Sequence, residues 1–339
     1  MPATHFVAAD IGNARIKLGL FTAGDCPNFP LSENGSVPFD APATSLHEPL
    51  RTLPFVGKEP ELDRINPWLQ ILPSPFGRGA GGEGLPVSLP PIHPNPLPKR
   101  EGTCGHVSGN AASLSPLTWW IASVNRPAAT RLIDWLHEHR PTDRVVLLAS
   151  GDLPLVVRLE RPDMVGIDRL VDAVAVNRLR DPSRPAVIVD VGTAITVDLV
   201  SADGAFLGGS ILPGIQMAAR ALHHFTDLLP LVSVSDLSAP PSPLGTSTES
   251  AMQAGLFWGA VGAIRQLIDQ LSKAATSGRA DGCGGSSTTA PIQVFLTGGA
   301  GAAVAELLGH KICHVPNLTL SGIAQIALER TGDGSNSPH

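Results

Sequence analysis

The chain has 339 residues, 43% hydrophobic and 16% charged, which is enough for one large or two ordinary domains with cores of their own. A net charge of −6 leaves no basic footprint for nucleic acid or an anionic membrane. No apolar run approaches the ~20 residues that span a bilayer; the opening MPATHFVAADIGN lacks the basic-then-apolar order of a secretory signal, so a cytoplasmic protein is expected.

In chain order, the apolar runs HFVAADI and RIKLGLF are separated by a Gly-Asn turn and predict an antiparallel strand pair. From about Leu72 to Pro116, Pro and Gly dominate and periodicity is lost. Such a segment cannot bury enough apolar surface to offset its ordering entropy, and it is predicted to be a disordered insertion. WWIASV then reads as a buried strand, and residues 128–139 as a helix with Leu132, Ile133 and Leu136 at helical spacing. VVLLAS is a further strand, and small and apolar residues every three or four positions predict a packed helix over 168–179. AVIVDVG, AITVDLV and FLGGSIL follow as three strands, then a helix from Ile215, a Pro/Ser-rich turn over 238–243 and a helix over 249–272. A Gly/Ser loop over 275–290, the strand QVFLTGG, a helix over 302–308 and a last helix from Leu320 complete the pattern. Cys26, Cys104, Cys283 and Cys313 form no CxxC pair, and the histidines form no HExxH, so the spacing signature of a metal centre is missing.

The two halves begin alike. DIGN (Asp10 to Asn13) and DVGT (Asp190 to Thr193) each end an apolar strand, 180 positions apart, as in an internally duplicated domain with a cleft between the copies. In each, the Asp at the carboxyl end of a buried strand can hold a cation that neutralises a triphosphate. Gly12 and Gly192 are expected to take backbone conformations closed to other residues and to admit phosphate oxygens to main-chain N–H groups. Asn13 and Thr193 add side-chain hydrogen bonds, and Lys17 either faces phosphate or is a solvated strand residue. Gly298 and Gly299 close a strand before a helix, as a ligand site or as a tight packing turn. Asp168, in Gly166-Ile167-Asp168-Arg169, opens a helix. It reads either as a first-turn carboxylate stabilised by the helix dipole or as the base of a phosphoryl transfer, with Arg169 steadying an anionic substrate group.

As a set these motifs resemble the type III pantothenate kinases, of the superfamily that includes sugar kinases, acetate kinase and actin. D-x-G-N is met by Asp10 to Asn13, G-x-D-R by Gly166 to Arg169, D-x-G-T-A-x-T-x-D by Asp190 to Asp198, and GG-x-I-x-P-G by Gly208 to Gly214. Gly245, Thr248, Gly255, Pro316-Asn317-Leu318 and Gly322 also fit. The resemblance implies an α/β fold of two duplicated actin-like ATPase (ribonuclease H-like) domains, each with a mixed sheet and with a cleft between them. These are expected over 1–165 and 166–330, with a linking helix over 168–180 and a disordered tail over 331–339.

It further implies phosphorylation of pantothenate, with Asp168 as the proton acceptor and Gly166, Ile167, Arg169 and Thr248 as substrate contacts. Asp10, Ile11, Gly12, Asn13, Ala14, Arg15, Ile16, Lys17 and Thr193 would bind ATP, and Asp190 a monovalent cation, K⁺ or NH₄⁺, beside the Mg²⁺ of MgATP. A homodimer is implied, and neither a nucleic-acid nor a membrane partner. Two positions depart from the family: Ala14 stands where a Thr or Ser follows Asn, and Leu159 where a Tyr lines the acceptor pocket. These departures motivate two alternatives, a kinase of the same fold acting on another small acceptor and a non-catalytic accessory homologue.

Overall fold

The computed structural model describes residues 5–23, 46–56, 60–70, 115–233, 240–276, 291–308 and 312–332. The predicted insertion (apart from Ser115 and Pro116), the Gly/Ser loop from 277 to 290 and the tail beyond 332 lie outside the described residues. The chain divides into two compact units, residues 63–115 and residues 3–62 together with 116–339. In the smaller, the described residues form the short helix α1 (Ile65–Gln70).

The larger unit carries two five-stranded sheets. The first contains β1 (His5–Ile11), β2 (Arg15–Thr22), β3 (Arg51–Val56), β4 (Thr118–Ser123) and β5 (Arg144–Leu147), in the order β3-β2-β1-β4-β5. The second contains β6 (Ala186–Val191), β7 (Ala194–Val200), β8 (Phe206–Pro213), β9 (Gln293–Thr297) and β10 (Ile312–His314), in the order β8-β7-β6-β9-β10. The orders are the same once the second set is renumbered. In both, the first three strands pair antiparallel and the last two run parallel to the first. The expected α/β duplication is therefore present strand for strand, with β1 and β6 as equivalent central strands.

The helices are α2 (Arg126–His139), α3 (Ile167–Leu179), α4 (Ile215–His224), α5 (Thr248–Thr276), α6 (Gly301–Ala305) and α7 (Leu318–Gly332). Asn125 caps α2, its Oδ1 accepting from the Ala128 N–H at 3.1 Å, and Pro127 lies in the first turn, where no backbone donor is lost. Helix α6 is shorter than the predicted 302–308, and α7 starts two residues before Leu320.

Side chains alternate across a strand, so each sheet shows two different faces. On β6, Val187, Val189 and Val191 are buried with Phe257, Val261, Ile264 and Ile268 of α5. The opposite face, Ala186 and Ile188, joins Phe6 and Ala8 of β1, Trp120 of β4 and the buried residues of α3 and α7 in one continuous core. Helices α3 and α7 pack against each other and touch strands of the first sheet, α3 also reaching β6 and β7. The same alternation puts Asp10 on the Phe6–Ala8 face and Asp190 on the Ala186–Ile188 face, both directed into the layer that holds α3 and α7.

Candidate active site

The site grows out of those two aspartates. Asp10 is the penultimate residue of β1 and Asp190 of β6. Across the antiparallel ladders Asp10 faces Lys17, and Asp190 faces Thr196. Directly opposed residues share a face of the sheet, so Lys17 is held beside Asp10 by register. Asp10, Arg15, Lys17 and Asp190 line one pocket with Thr297, Gly298 and residues 316–320. The Lys17 Nζ donates to the Pro316 carbonyl at 3.5 Å, and burial with the neighbouring Arg15 pushes its pKa down. Lys17 is thus a half-buried pocket cation rather than a solvated strand residue.

The two carboxylates are buried charges that Arg15 and Lys17 offset only in part. Burial raises Asp10 to about 7, helped by the negative charges of Asp168 and Asp190 and opposed by Arg15 and Lys17. Asp190 is raised to about 6 by burial, with Arg15 opposing. Its Oδ1 is buried and has no hydrogen-bond partner among the described residues. An orphaned buried carboxylate oxygen is costly unless something pairs with it, and a cation would complete it. Among the described residues no group of three His, Cys, Asp or Glu side chains converges as a metal chelate. Any cation at Asp190 would take its remaining oxygens from elsewhere.

Asp168 lies in the first turn of α3 behind Gly166 and is partly buried. Its Oδ1 accepts from the Arg169 N–H at 2.9 Å, and burial raises its pKa while that hydrogen bond and the Arg169 charge hold it down. It does not line the pocket of Asp10 and Asp190, but it is close enough for its charge to raise both. A carboxylate whose proton affinity is raised by burial and which keeps acceptor capacity is suited to the role of a base. A Cβ on Gly166 would stand 2.5 Å from the Asp168 Oδ1. Gly166→Ala is therefore expected to displace the carboxylate and lower turnover about tenfold or more while thermal unfolding moves little, a comparison of kcat with melting temperature deciding it.

The other predicted residues fall into groups. Ile11 and Ile16 are buried in the core, so any nucleotide contact from them is through the backbone. Asn13 and Ala14 are exposed in the first turn and Thr193 in the second. Gly12 and Asn13 line a neighbouring pocket with Arg15, Asn125 and Arg131, so Arg15 borders both cavities. Arg169 is engaged by Asp198 of β7, its Nε donating at 3.0 Å to Oδ2. Leu159 is partly buried against the main core, its Cδ2 beside Gly208. Thr248 is not with the rest. It lies in an apolar groove between α4 and α5 with Leu222, Leu229 and Met252.

The expected role of Gly12 and Gly192 needs correcting. Neither has positive φ, and a Cβ on either would meet its nearest neighbour at an ordinary 3.5 Å. At the aspartate pocket, the backbone that demands glycine is at Gly298, with φ +95° and a Cβ position 2.4 Å from the Asp190 Oδ1. The tight turn after β9 presses the main chain against the second aspartate. Sequence reasoning also passed over Asp172, one helical turn after Asp168, which is fully buried, bonded to Thr319 and raised well above the carboxylate range by burial and by Asp190. Only its acidity inside an otherwise apolar helix face could have drawn attention to it.

The family model for type III pantothenate kinase matches residues 104–270. A type III pantothenate kinase of Caulobacter vibrioides is 36% identical over 212 residues, covering 62% of this chain and 75% of that protein. One from Phenylobacterium zucineum is 31% identical over 210 residues, covering 61% and 73%. One from a Ruegeria species is 37% identical over 174 residues, covering 51% and 60%, so the matched part of this chain spans about 60% of that relative's length.

Proposed function

The chain belongs to the type III pantothenate kinase family, and on that premise we propose that it transfers the γ-phosphoryl group of MgATP to the primary hydroxyl of pantothenate, the first step towards coenzyme A. One observation carries the reading. Asp10 and Asp190, from equivalent strands of the two half-repeats, share a pocket with Arg15 and Lys17, within charge reach of Asp168 on the helix between the sheets. Phosphoryl transfer requires positioning and charge neutralisation more than covalent chemistry from the protein.

In this reading Arg15 and Lys17, with the turns at Gly12–Asn13 and Gly192–Thr193, hold the phosphates. Asp168 takes the proton from the attacking hydroxyl, and Arg169 meets the acceptor's carboxylate. Asp190 holds K⁺ or NH₄⁺ through the oxygen that has no protein partner, and the Mg²⁺ that arrives with ATP offsets phosphate charge. The site would operate in the cytoplasm, where ATP is abundant; among the described residues no helix is long and apolar enough to cross a membrane.

A second reading keeps the chemistry and changes the acceptor, because Leu159 supplies no hydroxyl where the family has Tyr. ADP release measured with MgATP over a panel of small hydroxy acids and alcohols separates the two. Fastest turnover with pantothenate supports the first reading; a better acceptor supports the second.

A homodimer accounts for Thr248. It sits apart from its own chain's aspartates in a groove that includes Leu222 of α4 and Leu229, and the segment that follows α4 leaves Phe225, Leu228 and Leu231 81%, 88% and 57% exposed. Covering that surface with a second copy would bring Thr248 to the partner's acceptor site. Leu228→Glu is expected to yield monomers with a pantothenate KM at least tenfold higher. Light scattering and kinetics on the same sample check it, and a dimeric variant would remove this face from consideration.

A further inference from the structure

The buried ion pair behind the base suggests a residue for acceptor selection. Asp198 lies in β7, 1% exposed, and its carboxylate binds the Arg169 guanidinium on one edge. The Arg169 Nε donates to Oδ2 at 3.0 Å and to Oδ1 at 3.2 Å, and the Nη2 also donates to Oδ1. Thr196 bonds the same carboxylate. The guanidinium carbon stands 5.5 Å from the centre of the Phe206 ring, so the plane is supported from one side as well. Strand β8 closes tightly here: a Cβ on Gly209, opposite Asp198 in the ladder, would stand 2.5 Å from its Oδ1. These contacts occupy the Nε–H and one of the two Nη2 N–H groups and leave Nη1 without a protein partner among the described residues, on a side chain that is 14% exposed.

We propose that Asp198 is a positioning residue that locks Arg169 before the acceptor arrives, so that its free edge, Nη1 with the second N–H of Nη2, is offered to the acceptor's carboxylate. This rests on the kinase reading given above. The argument is one of geometry. Arg has five N–H donors in a rigid fork, and a guanidinium fixed along one edge keeps a single direction for the remaining donors. An untethered Arg169 would have to give up rotamer freedom on binding. An anionic acceptor then gains a charge-assisted hydrogen bond to the fixed guanidinium, and an uncharged analogue gains nothing from the lock.

The test compares pantothenate with its carboxamide, which keeps the primary hydroxyl and loses the anion. In Asp198→Asn the KM for pantothenate is expected to rise at least tenfold, with the carboxamide KM changed less than threefold and kcat for both within threefold. Equal losses with both acceptors, or no change with either, would overturn the proposal. Absence of turnover with either acceptor in the unsubstituted protein would instead defeat the kinase reading. Should Asp198→Asn not fold, the lock is still read in the unsubstituted protein by ¹⁵N NMR of the Arg169 Nε–H, assigned with Arg169→Lys. A slowly exchanging, displaced resonance in the absence of acceptor is expected; a signal averaged with those of exposed arginines would refute the lock.

Discussion

Asp168→Asn is expected to lower turnover by two to four orders of magnitude, the range that a positioned general base contributes, while MgATP binding stays within about threefold of the parent. The substitution keeps the volume of the side chain and an acceptor for the Arg169 N–H, which Asp168 binds at 2.9 Å. It removes the charge that could take a proton. The first-turn interaction with the helix dipole is also lost, but at a helix N-terminus that interaction is worth only about 0.3–1 kcal/mol. Turnover and nucleotide affinity measured on one preparation separate the roles. A parallel loss of ATP binding would mean that Asp168 organises the cleft and performs no proton transfer. Unchanged activity would favour a non-catalytic homologue.

The second large effect is on stability and follows from burial of the two cleft aspartates. Asp10 is raised to about 7 and Asp190 to about 6, against an ordinary value near 3.8. Between pH 4 and pH 7 the folded chain holds protons that the unfolded chain has released, so its stability falls as pH rises through this window. Each tenfold displacement of proton affinity is worth about 1.4 kcal/mol, which makes the ligand-free protein several kcal/mol less stable at pH 8 than these two groups would leave it at pH 4. Two consequences can be measured by thermal unfolding. K⁺ with MgATP should raise the melting temperature more at pH 8 than at pH 5, because the ionised carboxylates are the ones a cation relieves. Ligand-free Asp190→Asn should melt above the parent at pH 8, converge with it at pH 4 and gain nothing from K⁺. A parent whose stability is flat from pH 4 to pH 8 would show that the pair is already neutralised within the fold.

Much of this arrangement was readable in the residues because the signals are local. The apolar runs ending in Asp-x-Gly mark the central strand of each sheet, and strand alternation alone directs Asp10 and Asp190 to the same kind of face. β3 was missed because Pro54 interrupts its pattern; the strand is tolerated because it lies at the sheet edge, where a missing donor costs little. β10 has three residues, too few for any period to show. What local sequence does not contain is partnership over distance. Nothing near Arg169 announces that Asp198, 29 residues on, holds its guanidinium. Nothing near Gly298 announces that its backbone rests against Asp190. Gly12 and Gly192 were assigned the conformational role that Gly298 fills, because both follow an aspartate in a turn and the sequence does not display φ. Thr248 matched a motif position, yet it lies in a separate groove of its own chain.

The most direct measurement is transfer of labelled γ-phosphate from MgATP to pantothenate in K⁺ or NH₄⁺ buffer, with the product identified by mass. The expected result is 4′-phosphopantothenate from the unsubstituted protein, dependent on the monovalent cation and lost in Asp168→Asn. A folded protein that binds MgATP and yields no phosphorylated pantothenate under any cation would contradict the account.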